Sequence, residues 1–282
     1  MNQQPLVSII IPTYNSEKTL HLCLKSIKRQ TYKNVEVIVV DNFSEDKTQE
    51  IARKNGAKVF LMGPERSAQK NYGAIKAQGE LLYFIDSDFV LHPNVVEESV
   101  NLIKCGNDAI IVLNISHPNL SFIAKVRFYE RISYYESEVY EAARFMKKKI
   151  FMKTGGFDES LHANEDYDLH QRLLSVGARI GRTKNSFEIH IGEPRSLREF
   201  MVKNIYYGSN ITKYFKKNPN PIYMAPIRFT FFKRNYIAYL GRRWLPGLLF
   251  VPLIKIMQGI AVQIGIFLKL NISPYTIKSL SK

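Results

Sequence analysis

The apolar run Leu81-Leu82-Tyr83-Phe84-Ile85 leads without a break into Asp86-Ser87-Asp88. Two carboxylates at i and i+2 on a regular strand point to opposite faces, but where the strand breaks into a turn they can converge. An Asp-x-Asp pair at the carboxyl end of a strand suits a hard divalent cation, Mg²⁺ or Mn²⁺, which takes oxygen ligands and commonly bridges a protein carboxylate to substrate phosphates. The other reading of the same tripeptide has one Asp capping the helix after Pro93 and the other in solvent. A second acidic pair, Glu165-Asp166, opens a helical pattern whose apolar face is Leu169, Leu173, Leu174 and Val176. His190 stands alone between Ile189 and Ile191.

Positioning these groups requires a sheet with its strand ends gathered at one rim. The first half of the chain alternates β-rich runs with helical patterns, the signature of a mostly parallel sheet flanked by helices. Strands are expected at 6–11, 35–40, 57–62 and 81–85, with helices over 16–30, 47–56, 66–79 and 93–106 between or after them. In such sheets ligands bind beyond the carboxyl ends of the strands, where Pro12, Asp41, Gly63 and Asp86 fall. A further strand is expected over 109–115, a long Tyr-rich helical region over 121–146, and a last strand over 187–193.

The charge distribution separates the two ends of the chain. The net charge is +15, yet from Phe200 onward there is no Asp or Glu and thirteen Lys or Arg residues. A basic tail suits nucleic acid, an anionic lipid surface or a polyanionic substrate. The runs 224–241 and 245–268 are far more apolar than RNA binding needs, so no nucleic-acid partner is expected. Cys23 and Cys105 are expected to be reduced packing residues in a cytosolic compartment, and no secretory signal pattern opens the chain.

Several ordered motifs together resemble the family-2 nucleotide-sugar glycosyltransferases of GT-A fold. They are the strand ending in Pro12-Thr13-Tyr14-Asn15, the strand ending in Val40-Asp41-Asn42, the Lys70-Asn71 helix, the strand ending in Asp86-Ser87-Asp88, and Gly155-Gly156-Phe157-Asp158-Glu159 with Glu165-Asp166 beyond it. The resemblance covers roughly residues 5 to 195. It implies that Pro12, Thr13, Tyr14 and Asn15 line the nucleotide site and that Asp41 accepts a hydrogen bond from the base edge, which favours uridine. It implies a cation, Lys70 or Arg66, facing the base or diphosphate. Asp86 and Ser87 would lie at the ribose or the metal's water shell, Asp88 would bind Mg²⁺ or Mn²⁺, and His190 would be either a further metal or diphosphate contact or an ordinary satisfied core or surface residue. Asp166, with Glu165 beside it, would be the base that takes the proton from the acceptor hydroxyl. Gly155 and Gly156 would let the backbone approach a sugar, with Asp158 and Glu159 capping or binding donor hydroxyls. The commoner family form of the second strand end is Val-Asp-Asp-Gly-Ser, so Asn42 and Phe43 suggest a different local turn.

The segment 245–268 is long enough to cross a bilayer, although Lys255 is central and Pro246, Gly247 and Pro252 disturb its start. A helix lying in the membrane interface, with Lys255 up and an apolar face down and with Trp244 at headgroup depth, is the favoured reading. A spanning helix, ordinary packing and a dimer contact are the others. The expected organisation is a GT-A catalytic domain over 1–199, with a nucleotide-sugar half to about 115, then a membrane-associating helical region over 200–282. The expected activity is inverting transfer from a nucleotide-sugar, of UDP by preference, to a lipid-linked or cell-surface glycan at the cytoplasmic face of the membrane. A polyprenyl-phosphate acceptor and a non-catalytic membrane-bound scaffold are the rival readings.

Overall fold

Strand β1 (Val7–Thr13) is buried along its whole length, as its Val and Ile content requires of a strand covered on both faces. It pairs in parallel with β2 (Val35–Asp41) and β4 (Leu81–Phe84), and β2 pairs in parallel with β3 (Lys58–Leu61). Helices α1 (Glu17–Lys28), α2 (Thr48–Lys54) and α3 (Arg66–Lys76) are the crossovers. The computed structural model describes residues 4–133, 141–218 and 245–268. The expected aromatic stretch 224–241, Trp244, Lys269 and the Tyr-rich residues 134–140 lie outside them.

The sheet continues antiparallel. Strand order is β3-β2-β1-β4-β7-β6-β8-β5, with β5 (Phe89–Leu91), β6 (Ala109–Ser116), β7 (Phe145–Lys147) and β8 (Ile180–His190). β7 lies antiparallel to both β4 and β6, and β5 antiparallel to β8. The helical region expected to run through Met146 therefore ends early. Phe145 and Met146 are fully buried; Phe145 suits a strand, and ladder bonds to strands on both sides outweigh the helix preference of Met146. Helices α4 (Val95–Lys104), α6 (Lys148–Lys153) and α7 (Glu165–Ser175) complete this part.

The period-2 alternation of β1 divides the core. Ile9 and Ile11 pack with Leu20, Cys23, Leu24, Ile27 and Val95, while Ile10 packs with Ile38, Val40, Phe84, Phe151, Leu169 and Leu173. On α7 Leu169 and Leu173 are fully buried, but Leu174 is exposed, about a quarter turn round the helix from the packed row. Cys23 is buried as expected, whereas Cys105 is exposed at the end of α4.

The chain divides into two compact units: Met1–Asn114, Glu141–Ser160 and Glu165–Gly192 in the first, and Ile115–Tyr140, Leu161–Asn164 and Glu193–Lys282 in the second. The second contains α5 (Phe122–Ser133), α8 (Leu197–Lys217) and α9 (Gly247–Leu268). Ser196 Oγ caps α8 by accepting from Glu199 N, and Glu199 returns a bond from Arg195 N. α8 and α9 approach so closely that a Cβ on Gly208 would sit 2.2 Å from Val262 O, and one on Gly265 2.0 Å from Ile205 O. Ile123, Val126, Phe200, Val251 and Ile254 form the core of this unit.

Lys255 overturns one expectation. Instead of rising toward headgroups from the polar side of α9, it is buried, its Nζ 2.8 Å from Glu130 Oε1 on α5 and donating to Gln258 Oε1 at 2.9 Å. A charge inside an apolar helix pair needs a counter-charge, and Glu130, itself 1% exposed, supplies it.

Candidate active site

Beyond β4 the chain turns through Asp86-Ser87-Asp88 into β5, and the β5–β8 ladder fixes where that turn sits. Phe89 lies opposite His190, and Ile191 N donates to Asp88 O at 2.9 Å. This register brings Asp88 Oδ2 to 3.1 Å from His190 Nε2, and the imidazole stacks on the Phe89 ring with centroids 5.0 Å apart. Gly192 makes room for the carboxylate, since a Cβ there would stand 1.9 Å from Asp88 Oδ2. Ser87 Oγ donates to Ser16 Oγ at 3.0 Å, tying the turn to the start of α1.

The Asp88–His190 pair fits a divalent cation. At 3.1 Å the carboxylate and the imidazole converge on one point, and these two residues would hold such an ion. One oxygen and one imidazole nitrogen suit Mn²⁺ better than Mg²⁺. Asp86 does not join the pair: among the described residues there is no group of three or more His, Cys, Asp or Glu placed to hold a metal. Its charge acts instead on Lys70, Arg144 and Glu188. An ion held by Asp88 and His190 would complete its shell from phosphate and water oxygens.

A second polar group forms at the first turn of α7. Lys70, only 3% exposed, places Nζ 2.9 Å from Asp166 Oδ1 and 3.4 Å from Glu165 Oε1, and 4.7 Å above the Phe157 ring. Arg66 reaches Glu165 at 3.5 Å, and Arg144 Nη2 lies 3.9 Å from Asp166 Oδ2. Burial alone would raise the Asp166 carboxyl, but Lys70 and Arg144 outweigh it and hold it down to about 2. Lys70 follows the same logic: burial opposes its charge, and Asp166, Glu165 and Asp86 more than restore it. The cation expected to face the nucleotide is thus engaged by the candidate base.

Arg144 links the two groups. Its guanidinium lies 5.0 Å from the centroid of Phe89, the ring that stacks on His190, and donates to Glu188 Oε2 at 3.2 Å. Glu188 is fully buried and also accepts from Tyr83 Oη at 2.7 Å. Burial pushes its carboxyl up to about 7 against the pull of Arg144 and Tyr83.

The glycine loop before α7 is fixed from within. Asn71 accepts from Phe157 N at 2.8 Å and donates to Phe157 O and Glu159 Oε1 at 2.9 Å each. Gly155 and Gly156 both have positive φ, and a Cβ on Gly156 would meet Asn71 Oδ1 at 2.7 Å. Gly156 is therefore filled by Asn71, and only Gly155 has open space at its Cα. Asp158 caps the local turn by accepting from Ser160 N and Oγ. Asp168 is buried on Arg172, whose Nη1 donates to the carbonyls of Thr154 and Gly156 at 2.7 and 2.6 Å.

At the other end of the rim Asp41 is fully occupied by the protein. Oδ1 accepts from Thr13 Oγ1 at 2.7 Å and Ser44 Oγ at 2.6 Å, and Oδ2 from Ser44 N at 2.8 Å and Gln49 Nε2 at 3.0 Å. Four donors fill the capacity of a carboxylate. Reading a base edge would require one of them to yield. Phe43 takes the left-handed conformation at φ 50, so the turn after Asp41 is made here by a non-glycine residue in a backbone region that favours Gly. Pro12 is buried in β1, Tyr14 is half-buried beyond it, and Asn15 accepts from Glu45 N. α1 takes its cap from the neighbouring loop, where Asp46 Oδ2 accepts from Glu17 N at 3.1 Å.

Arg144, Glu188 and Gly192 belong to no motif that marks them in sequence. One signal was present: Glu188 and His190 occupy alternate positions among Phe187, Ile189 and Ile191, and so share one face of a strand.

A family model described as glycosyl transferase family 2 matches residues 8–158. An uncharacterised glycosyltransferase of Rickettsia typhi is 33% identical over 191 residues, covering 62% of this chain. That match spans 60% of the relative's own length. Among solved structures, a mannosyltransferase from Pyrobaculum calidifontis in complex with GDP-Man and Mn²⁺ superposes with a TM-score of 0.65 at 17% identity, over 94% of this chain and 88% of that one. TarS 1-349 of S. aureus in complex with UDP-GlcNAc gives 0.55 at 17% identity, over 94% and 90%. A helix-flanked mixed sheet shared with these proteins is the GT-A fold, and with a family model covering more than half of its length the chain belongs to glycosyl transferase family 2.

Proposed function

We propose that this glycosyltransferase inverts configuration as it moves a sugar from a nucleotide-diphosphate sugar, UDP by preference, to a hydroxyl of a lipid-linked or cell-surface glycan. The work is assigned to the cytoplasmic face of the membrane. The observation that carries the reading is the pairing of Asp88 with His190 at 3.1 Å, linked through Phe89 and Arg144 to the carboxylate of Asp166. This arrangement offers a place for a cation on the donor side and an ionised acid for the acceptor. A divalent ion held by Asp88 and His190 would offset the negative charge that grows on the departing nucleotide.

Asp166 supplies the base. A carboxyl held at about 2 is a weak base. A donor diphosphate near Lys70 competes for the same ammonium and loosens its hold on Asp166. The carboxyl then rises toward its ordinary range and becomes a better acceptor for the hydroxyl proton. Arg66 remains on Glu165, keeping the first turn of α7 in place. Solved proteins of the same fold, each 17% identical, are in complex with GDP-Man and with UDP-GlcNAc, which supports a nucleotide-sugar donor and leaves either nucleotide open to test.

Calorimetric titration of UDP and GDP, with and without Mn²⁺, tests the donor side. Tight binding of one nucleotide is expected only with the ion, weakened at least tenfold in Asp88→Ala and His190→Ala. Binding of neither nucleotide, or equal binding in the variants, would count against it.

A further inference from the structure

Among the described residues, α9 carries an exposed row of large apolar side chains along one face. Leu249, Leu253, Ile256, Ile260, Ile264 and Phe267 are all exposed, from 39% for Ile264 to 86% for Phe267. Their spacings of four, three, four, four and three residues place them within one narrow arc of the helix. The opposite arc, with Val251, Ile254, Ala261, Val262 and Gly265, is buried. From Leu249 to Phe267 the row runs about 27 Å along the helix, too long to be a scatter of single surface leucines.

The geometry points to this row as the foot on which the protein rests in an anionic lipid leaflet, with α9 lying in the plane of the membrane and not crossing it. The inference rests on the membrane-surface reading above and sharpens it. Charge selects the occupant: thirteen Lys or Arg and no acidic residue follow Phe200, and Arg195, Arg198, Lys213, Lys216 and Lys217 are exposed. A second copy of the same chain would bring like charge against like charge. Packing excludes the crossing. Val262 lies against Gly208 and Gly265 against Ile205, so α8 and α9 run antiparallel in contact. The same register brings exposed Lys213 level with Met257, midway along α9, and the Lys255–Glu130 ion pair lies near the same level. A crossing α9 would carry these charges into the middle of the hydrocarbon, where each is costly. A helix in the plane leaves Lys255 paired above and puts only the apolar row into the lipid.

Flotation of the full-length protein with vesicles of phosphatidylcholine and phosphatidylglycerol in equal parts, against pure phosphatidylcholine, tests this. The wild type is expected to bind the anionic vesicles and to be released by alkaline carbonate. Leu253→Glu/Ile260→Glu is expected to lose at least tenfold in partitioning. Leu22→Glu, which changes another exposed leucine in the first unit, is expected to bind as the wild type does and controls for a general effect of added charge. Wild type that ignores both vesicles overturns the membrane reading and the foot together. Wild type that binds while Leu253→Glu/Ile260→Glu binds equally well overturns the foot alone. Resistance to carbonate makes α9 a crossing helix, and a dimer in solution that this double variant dissolves, without vesicle binding, makes the row a contact between copies.

Discussion

Replacing Lys70 with Met removes the closest cation from Asp166 while keeping most of the side-chain volume. The lowering of the Asp166 carboxyl to about 2 corresponds to roughly 2 kcal/mol of preference for the ionised form in the fold. Lys70 supplies the largest share, with Arg144, farther off at 3.9 Å, and Arg66 adding less. Without Lys70, Arg66 still faces Glu165 and Arg144 still faces Asp166, but only at 3.5 and 3.9 Å, and the expected loss at pH 7 is about 3 kcal/mol, the low end for breaking a buried pair. The pH dependence has a definite sign. In the wild type this contribution is complete above about pH 4 and is lost as the pH falls through about 2. In Lys70→Met the carboxyl moves up, so the penalty is full at pH 7 and shrinks toward about pH 5 as Asp166 takes a proton. Urea unfolding of wild type, Lys70→Met, Asp166→Asn and the double variant measures it. The coupling between the two sites is expected to be about 2 kcal/mol at pH 7 and smaller at about pH 5. Additive losses at pH 7, or a penalty that does not change with pH, would refute the reasoning.

Gly192→Ala forces a methyl to within 1.9 Å of Asp88 Oδ2; Mn²⁺-dependent nucleotide binding by calorimetry should weaken at least tenfold, with a thermal midpoint little changed. Asp41→Asn replaces one acceptor oxygen by a donor facing Thr13, Ser44 or Gln49. It should cost about 2 kcal/mol in urea unfolding. Gly208→Ala puts a Cβ 2.2 Å from a backbone oxygen of α9, and spreading the two helices should lower stability by about 2 kcal/mol, an overpacking cost.

The parallel half of the sheet was legible because β1 and β2 are short apolar runs between helical patterns, and the strand ends at Thr13 and Asp41 carry residues no core strand needs. β7 was not, since its three residues owe their conformation to β4 and β6 on either side. Asp88 and Asp166 stood out by motif and their surroundings did not. The ion pair of Lys70 with Asp166 joins residues 96 positions apart, and no local pattern records it. The same holds for Lys255: its place in the helix suggested an outward charge, but α5 supplies Glu130 beside it and the side chain is buried. Asp41 was recognised as a special residue, and only the three-dimensional arrangement reveals how many protein donors already claim it.

The central claim is that Asp166 takes the acceptor proton in a transfer that inverts the sugar. The direct measurement is turnover of UDP- and GDP-sugars with Mn²⁺ and a membrane lipid extract, for wild type, Asp88→Ala and Asp166→Asn, with the anomeric configuration of the product read by NMR. Expected are lipid-dependent release of nucleotide from one donor, inverted configuration, no release in Asp88→Ala, and a fall of about a thousandfold in Asp166→Asn, in the range a general base contributes. Wild-type turnover in Asp166→Asn, or a product of retained configuration, would contradict it.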